Sequence, residues 1–126
     1  MRTEIVIALA IVIIVSLCLW TNRTLLSSYE IMQKHSKTVY NATQNEHWSE
    51  AERALTALSD YLSRIHPTWS IIVSHSILEE IEVLIAQLRT EIREHSRLDA
   101  LTTISALQLR LDFIARDEMV KLKNIF

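Results

Sequence analysis

The chain contains no glycine among its 126 residues, and this absence limits its fold more than any other feature of the sequence. Glycine supplies the backbone conformations with positive φ that tight hairpins and phosphate-binding loops require. A P-loop, a dinucleotide-binding fold with its glycine fingerprint and a hydrolase with a glycine elbow are therefore excluded. We expect an all-α protein with no residue at positive φ.

Charge and cysteine usage narrow the functional classes further. The formal net charge is −2, whereas a nucleic-acid-binding domain normally carries a basic face, so we expect no nucleic-acid partner. The charge is uneven, because residues 46–82 contain two basic and seven acidic side chains. The single cysteine, Cys18, cannot form an intrachain disulfide.

The N-terminal region holds an apolar segment, residues 5–20, in which Ser16 is the only polar residue. As a helix this segment is about 24 Å long, shorter than the roughly 30 Å hydrocarbon core of a bilayer. Thr3 and Thr21 can extend it, and Trp20 suits the membrane interface. We predict a transmembrane helix here.

A cleaved secretory signal and a buried core helix are the two alternatives to a transmembrane anchor for this segment. A secretory signal has an apolar region of similar length, but no small-x-small cleavage site follows this one. A helix that is apolar on all sides has no place in the core of a small bundle. We therefore expect residues 1–21 to be an uncleaved signal-anchor in the cell membrane. Because a short head precedes a long domain, the domain is expected on the extracytoplasmic side, as a single-pass protein.

The rest of the chain has helical periodicity. We predict a membrane-proximal helix or stalk over 22–45 and a helical bundle domain over 46–126. The strongest pattern is an apolar stripe with alternating spacings of three and four: Trp48, Ala51, Leu55, Leu58, Leu62, Ile65, Trp69 and Ile72.

The helices of the bundle domain are predicted at 46–73 with a kink at Pro67, at 77–95 and at 98–116, with fraying beyond 116. Capping boxes are predicted to start the three helices, at Thr43 with Glu46, Ser76 with Glu79, and Ser96 with Asp99. The predicted fold is a single transmembrane helix that continues into a small antiparallel three- to four-helix bundle. Three helices over 46–116 form its core, and the membrane-proximal helix is either a stalk or the fourth member.

His75, Glu79 and Glu82 are the best candidates for chemistry, because their spacing places them on one helix face. Di-iron bundles bind metal on such faces, but with Glu-x-x-His on two helices, and that pattern is absent from this sequence. A solvated acidic helix start accounts for the same residues. We therefore assign no catalytic, cofactor-binding or metal-binding residues and no cofactor, and do not expect an enzyme.

Several of these features occur together in one known family. They are the N-terminal anchor, Trp48 with Ala51 and Leu55, Trp69, the run from His75 to Glu82, and the closing Asn124-Ile125-Phe126. With them the chain resembles a family of small, uncharacterised bacterial membrane-anchored helical proteins, a domain of unknown function typical of anaerobic spore-forming bacteria. Glu79, where the family pattern has Asp, and Pro67 depart from it. The resemblance implies the architecture and brings no activity with it.

The leading functional hypothesis is a membrane protein whose helical domain acts by protein contact, as an interaction or assembly accessory. Its partners would be the membrane and a second protein, and it could also associate with itself, since a core this small is marginally stable. One alternative is a sensory, ligand-responsive bundle. Another is an anchored lysis accessory protein of the phage type.

Overall fold

The computed structural model of the protein describes residues 1–125, with the side chains of residues 1–71 and 73–117. Helices make up nearly all of the described chain, and no strand occurs in it, which confirms the all-α prediction. The helices are α1 (Arg2–Gln44), α2 (Trp48–Ile72), α3 (His75–Arg93) and α4 (Arg97–Ile125).

The four helices form an antiparallel bundle. Each helix packs against the next one along the chain, and α1 also packs against α4, so the four axes lie at the corners of a square. The connections at 45–47, 73–74 and 94–96 are short, and short connections require neighbouring helices to run in opposite directions. The α1–α2 and α3–α4 turns therefore lie at one end of the bundle, and the α2–α3 turn lies at the other.

Helix α1 is a full member of the bundle and not a separate stalk. Its side chains are exposed or half-exposed up to residue 24, and from Leu25 onward one stripe of the helix is buried. This stripe contains Leu25, Ser28, Met32, Ser36, Val39, Ala42 and Thr43. The helix runs without interruption through residues 21–22, where the sequence predicts the end of the anchor.

The predicted stripe of α2 forms much of the core. Five of its members are buried, while Trp48 and Ile65 are half-buried and the side chain of Ile72 lies outside the described residues. Pro67 lies inside a continuous helix, as expected from the unbroken phase of the stripe. The core is completed by apolar residues of α3 and α4, which include Leu78, Ile81, Leu88, Ile104, Leu107 and Leu111.

Helix α4 extends beyond its predicted end at residue 116 to Ile125. The sequence contains no glycine or proline in this stretch, and its Glu, Met, Lys and Leu residues have high intrinsic helix propensity. Charged residues at 117–123 led to the prediction of fraying, but a mixed charge pattern does not by itself end a helix.

The expectation that no residue has positive φ was wrong. Glu46 has a φ of 57° and His95 a φ of 56°. In the first turn the N–H of Glu46 donates to the carbonyl of Thr43 at 3.1 Å, and the N–H of His47 donates to that of Ala42 at 2.8 Å. These two bonds define a Schellman motif with Glu46 in the position where glycine is most common.

The turn between α3 and α4 repeats the same motif. The N–H of His95 donates to the carbonyl of Ile92 at 3.1 Å, and the N–H of Ser96 donates to that of Glu91 at 2.9 Å. A left-handed backbone costs a non-glycine residue about 1–2 kcal/mol. In both turns the paired hydrogen bonds satisfy carbonyl groups at the helix end and offset this cost.

One of the three predicted capping boxes places its residues at a helix start. The carbonyl of Ser96 accepts the first hydrogen bond of α4, and its hydroxyl donates to Asp99 Oδ2 at 2.8 Å. The other two predictions were wrong, because α2 and α3 begin after His47 and Ser74, without a side-chain cap. Thr43 is instead buried in the last turn of α1.

Two contacts join the α1–α2 turn to the α3–α4 turn at their shared end of the bundle. The rings of Trp48 and His95 stack with their centroids 4.9 Å apart and their planes 2° from parallel. Arg97 Nε donates to the carbonyl of Gln44, a free acceptor at the end of α1, at 3.0 Å. Trp48 therefore packs on the α3–α4 turn at the margin of the core, and not inside the core as the stripe implied.

The difference in burial between Trp69 and Trp48 predicts different effects on stability. Trp69 is fully buried, so Trp69→Ala should lower the free energy of unfolding by about 3–5 kcal/mol. Trp48→Ala should cost less than half as much, because Trp48 is half-buried. Urea unfolding of the full chain in detergent micelles, followed by helical circular dichroism, measures both.

Trp69→Phe is the control for ring packing. Trp69 Nε1 is buried without a hydrogen-bond partner among the described residues, so phenylalanine removes an unsatisfied donor and keeps an aromatic ring. We expect a small change from Trp69→Phe. Equal losses from Trp48→Ala and Trp69→Ala would contradict the burial described here.

Candidate functional site: the apolar segment and the outer faces of the bundle

The apolar segment of α1 is the first candidate. Helix α1 is long and apolar enough to cross a membrane, and its most apolar stretch has no buried residue. Leu9, Val12, Leu17 and Trp20 are each more than half exposed, on all sides of the helix. A core helix of a globular protein would bury one face, so the bundle does not account for these side chains.

The face with His75, Glu79 and Glu82 divides into two separate histidine–glutamate contacts. His75 Nε2 lies 2.9 Å from Glu79 Oε1 within α3. Glu82 instead faces α2, where its Oε1 lies 3.5 Å from His66 Nε2. Among the described residues, no group of three or more His, Cys, Asp or Glu side chains is placed to bind a metal ion.

A groove of about 490 Å³ lies between α2 and α3. It is lined by Ser59, Ser63, His66, Pro67, Glu82 and Arg89, among others. Proline has no N–H to donate, so the carbonyl of Ser63 lacks its usual helical partner here. The groove is polar and contains charges of both signs, a composition that favours no single class of ligand.

A polar network joins α1 to α4. The hydroxyl of Tyr29 donates to Asp112, and Gln33 Nε2 donates to Asp112 Oδ1 at 2.9 Å. Ser36 Oγ lies 2.9 Å from Gln33 Oε1, and Gln108 Nε2 donates to Ser36 Oγ at 3.4 Å. Asp112 thus receives two hydrogen bonds from α1. These bonds fix the position of α4 along the axis of α1.

The network raises the pKa of Tyr29. The main cause is the hydrogen bond that its hydroxyl donates to Asp112, followed by partial burial. Ionisation of the phenol would remove this donor and place two negative charges side by side. The protonated form of Tyr29 is therefore favoured in the folded protein.

Exposed and half-buried apolar side chains occur on the outer faces of α3 and α4. We name this set the α3–α4 surface; it consists of Val83, Leu84, Ala106, Leu109 and Phe113. Val83, Leu109 and Phe113 are 63%, 62% and 50% exposed. Part of this surface lines a groove of about 540 Å³, at whose margin Arg110 Nε lies 3.2 Å from Glu80 Oε2.

Sequence reasoning missed both the polar network and the α3–α4 surface. Ser28 and Ser36 interrupt the apolar stripe of α1 and were not recognised as buried positions. Leu109 and Phe113 are spaced four apart and off the core stripe of α4, which was the one available signal for an exposed apolar face.

Comparison with protein families identifies the domain. A model of the family described as Domain of unknown function (DUF4363) matches residues 19–125, which cover most of the chain. The chain belongs to this family. The match begins at the end of the apolar segment and includes the three turns of the bundle. No curated protein and no solved structure matches the chain.

DUF4363 membership agrees with the resemblance noted in the sequence, in that the family is one of unknown function. Trp48, Trp69 and the run from His75 to Glu82 all lie within the matched range. In the structure Trp69 has a packing role, and the run forms the start of α3, in which Leu78 and Ile81 are buried and His75, Glu79 and Glu82 are exposed. The side chains of Asn124, Ile125 and Phe126 lie outside the described residues.

The raised pKa of Tyr29 predicts a dependence of stability on alkaline pH. The contribution of protonated Tyr29 to the free energy of unfolding is fully present below the unfolded pKa of 10.0. This contribution is lost as the pH rises through the higher pKa of the folded protein. Tyr29→Phe should remove this part of the alkaline loss and cost about 1 kcal/mol at neutral pH. Thermal unfolding of the full chain in micelles from pH 8 to 11.5 measures both effects.

Tyr61→Phe is the matched control, because Tyr61 is half-buried on the α1–α2 side of the bundle and is not part of the network. The Tyr61→Phe variant should still lose the part of its stability at alkaline pH that is attributed to Tyr29. Equal pH profiles for Tyr29→Phe and the unmodified chain would show that the hydrogen bond to Asp112 does not hold the phenol in its protonated form.

Proposed function

We propose that this DUF4363 protein is a single-pass membrane protein whose bundle acts by protein contact. The apolar segment of α1 spans the bilayer as an uncleaved signal-anchor, and the bundle is an interaction or assembly accessory on the extracytoplasmic side. Support for the anchor comes from a segment that is apolar on all sides and left uncovered by the bundle. Support for the orientation comes from the long domain after the segment, because long domains translocate largely regardless of their charge.

The observation that carries the contact role is the α3–α4 surface. Single exposed apolar residues are common on proteins, but a contiguous patch often marks a site of protein contact. Val83 of α3 and Leu109 and Phe113 of α4 are large and at least half exposed, and Val83 lines the groove between the two helices. We propose that together they form such a patch. The Glu80–Arg110 ion pair at the margin provides the polar rim that is typical of protein interfaces.

The arrangement offers less for catalysis than for contact. The histidine–glutamate contacts on the outside of α2 and α3 involve solvent-accessible side chains of the helix surface. Surface pairs of this kind contribute little to stability and are common on helical bundles. We therefore propose that the protein is not an enzyme.

Leu109→Glu tests the contact role. The substitution places a charge on the α3–α4 surface and should abolish co-purification of the partner from the native membrane. Because Leu109 is exposed, the bundle should keep its helical circular dichroism and its melting temperature. Affinity purification of the full chain from native membranes, with a photo-crosslinking residue at position 113, identifies the partner as a different protein or a second copy.

Leu98→Glu is the matched control, since Leu98 is 76% exposed on the same helix but lies outside the α3–α4 surface. It should leave co-purification unchanged. The proposal fails if Leu109→Glu and Leu98→Glu retain the same partner in the same amount, or if position 113 forms no cross-link in the native membrane.

A further inference from the structure

We infer that the turn between α2 and α3 docks into the headgroup layer of the bilayer that holds the apolar segment, and that the strongly exposed Ile71 beside the turn contacts this layer. This inference rests on the proposed membrane anchor. Ile71 is 85% exposed, more than any other large apolar side chain described outside the apolar segment and Met1. It lies in the last turn of α2, close to Trp69, which is fully buried.

The packing of α1 against α2 sets the level of Ile71. The rings of His35 and Tyr61 lie 6.3 Å apart, so these residues are at one level of the antiparallel pair. The same number of residues separates Tyr61 from Ile71 and His35 from Leu25, and both helices advance about 1.5 Å per residue. Ile71 is therefore level with Leu25, about 7 Å from the level of Trp20 at the end of the apolar segment.

The turn itself lies closer to the bilayer. Val73 and Ser74 follow Ile71, and in the same register they are level with residues 22–23 of α1. The headgroup region on each side of a bilayer is roughly 5–7 Å thick. With Trp20 at the boundary of the hydrocarbon core, the turn lies within this layer and Ile71 lies at its outer edge.

The packing of α4 leads to the same plane independently. Gln33 Nε2 of α1 donates to Asp112 Oδ1 of α4 at 2.9 Å, which places these residues at one level. The same number of residues separates Asp112 from Ile125 and Gln33 from Trp20. The backbone of α4 therefore ends at the level of Trp20. The end of α4 thus reaches the level where the apolar segment ends, and the α2–α3 turn lies about 3–5 Å from it.

The short length of the apolar segment also favours contact between the bundle and the bilayer. At about 24 Å it is shorter than the roughly 30 Å hydrocarbon core. A short span is accommodated by local thinning of the bilayer, which brings the flanking residues closer to lipid. The end of the bundle that carries Ile71 is thereby brought closer to the headgroups. Removal of the exposed isoleucine side chain from water is favourable there.

An environment-sensitive probe tests this docking. Cys18→Ser removes the single cysteine, and Ile71→Cys introduces one for labelling with the fluorophore NBD. Leu98→Cys is the control, because Leu98 is also strongly exposed but lies at the opposite end of the bundle. Both labelled full-length chains are reconstituted into phosphatidylcholine vesicles, with and without lipids that carry a nitroxide quencher near the headgroup.

The expected result is an emission shift to shorter wavelength at position 71, with a loss of intensity in nitroxide vesicles, and neither change at position 98. Identical, unquenched emission at both positions in vesicles that float with bound protein would overturn the docking alone. A shift at position 71 without quenching would also overturn it, since it would indicate burial against protein. Failure of the chain to float with vesicles would overturn the anchor and the docking together.

Discussion

Helix α1 is the element on which the rest of the structure depends, because one continuous helix carries both the apolar segment and a quarter of the bundle. Up to residue 24 its side chains are uncovered, and from Leu25 onward one stripe is buried against α2 and α4. A helix is stiff over this length, so any constraint on the apolar segment is passed directly to the bundle. The level of the α2–α3 turn relative to the apolar segment follows from this continuity.

The opposite end of the bundle shows how a chain without glycine closes its turns. Glu46 and His95 adopt left-handed backbones within two matching Schellman motifs, and each motif satisfies carbonyl groups that the helix end leaves free. The stack of Trp48 on His95 and the bond from Arg97 to the end of α1 then hold the two turns together. The strain at these two residues is thus confined to the turns, where hydrogen bonds and ring packing compensate for it.

Much of the fold could be predicted from the sequence because its signal is periodic. Leu55, Leu58 and Leu62 repeat at helical spacing and are buried, as the pattern requires. The turns could not be predicted, because the residue types of Glu46 and His95 do not indicate a left-handed conformation. The polar network was hidden for a different reason, since Ser36 and Gln33 become partners of α4 only when two distant segments pack together. The proposed contact role has no such periodic signal in the sequence, because the α3–α4 surface is brought together only when the two helices pack.

The continuity of α1 across the proposed membrane boundary is the central claim, and amide hydrogen exchange of the full chain in lipid nanodiscs tests it most directly. With α1 intact, peptides that cover residues 15–32 should show slow exchange without a gap, because every amide in this stretch donates within the helix. Fast exchange confined to residues 21–24 would show a flexible joint between the apolar segment and the bundle. That result would contradict the claim, because the level of the bundle above the bilayer would no longer be fixed by α1.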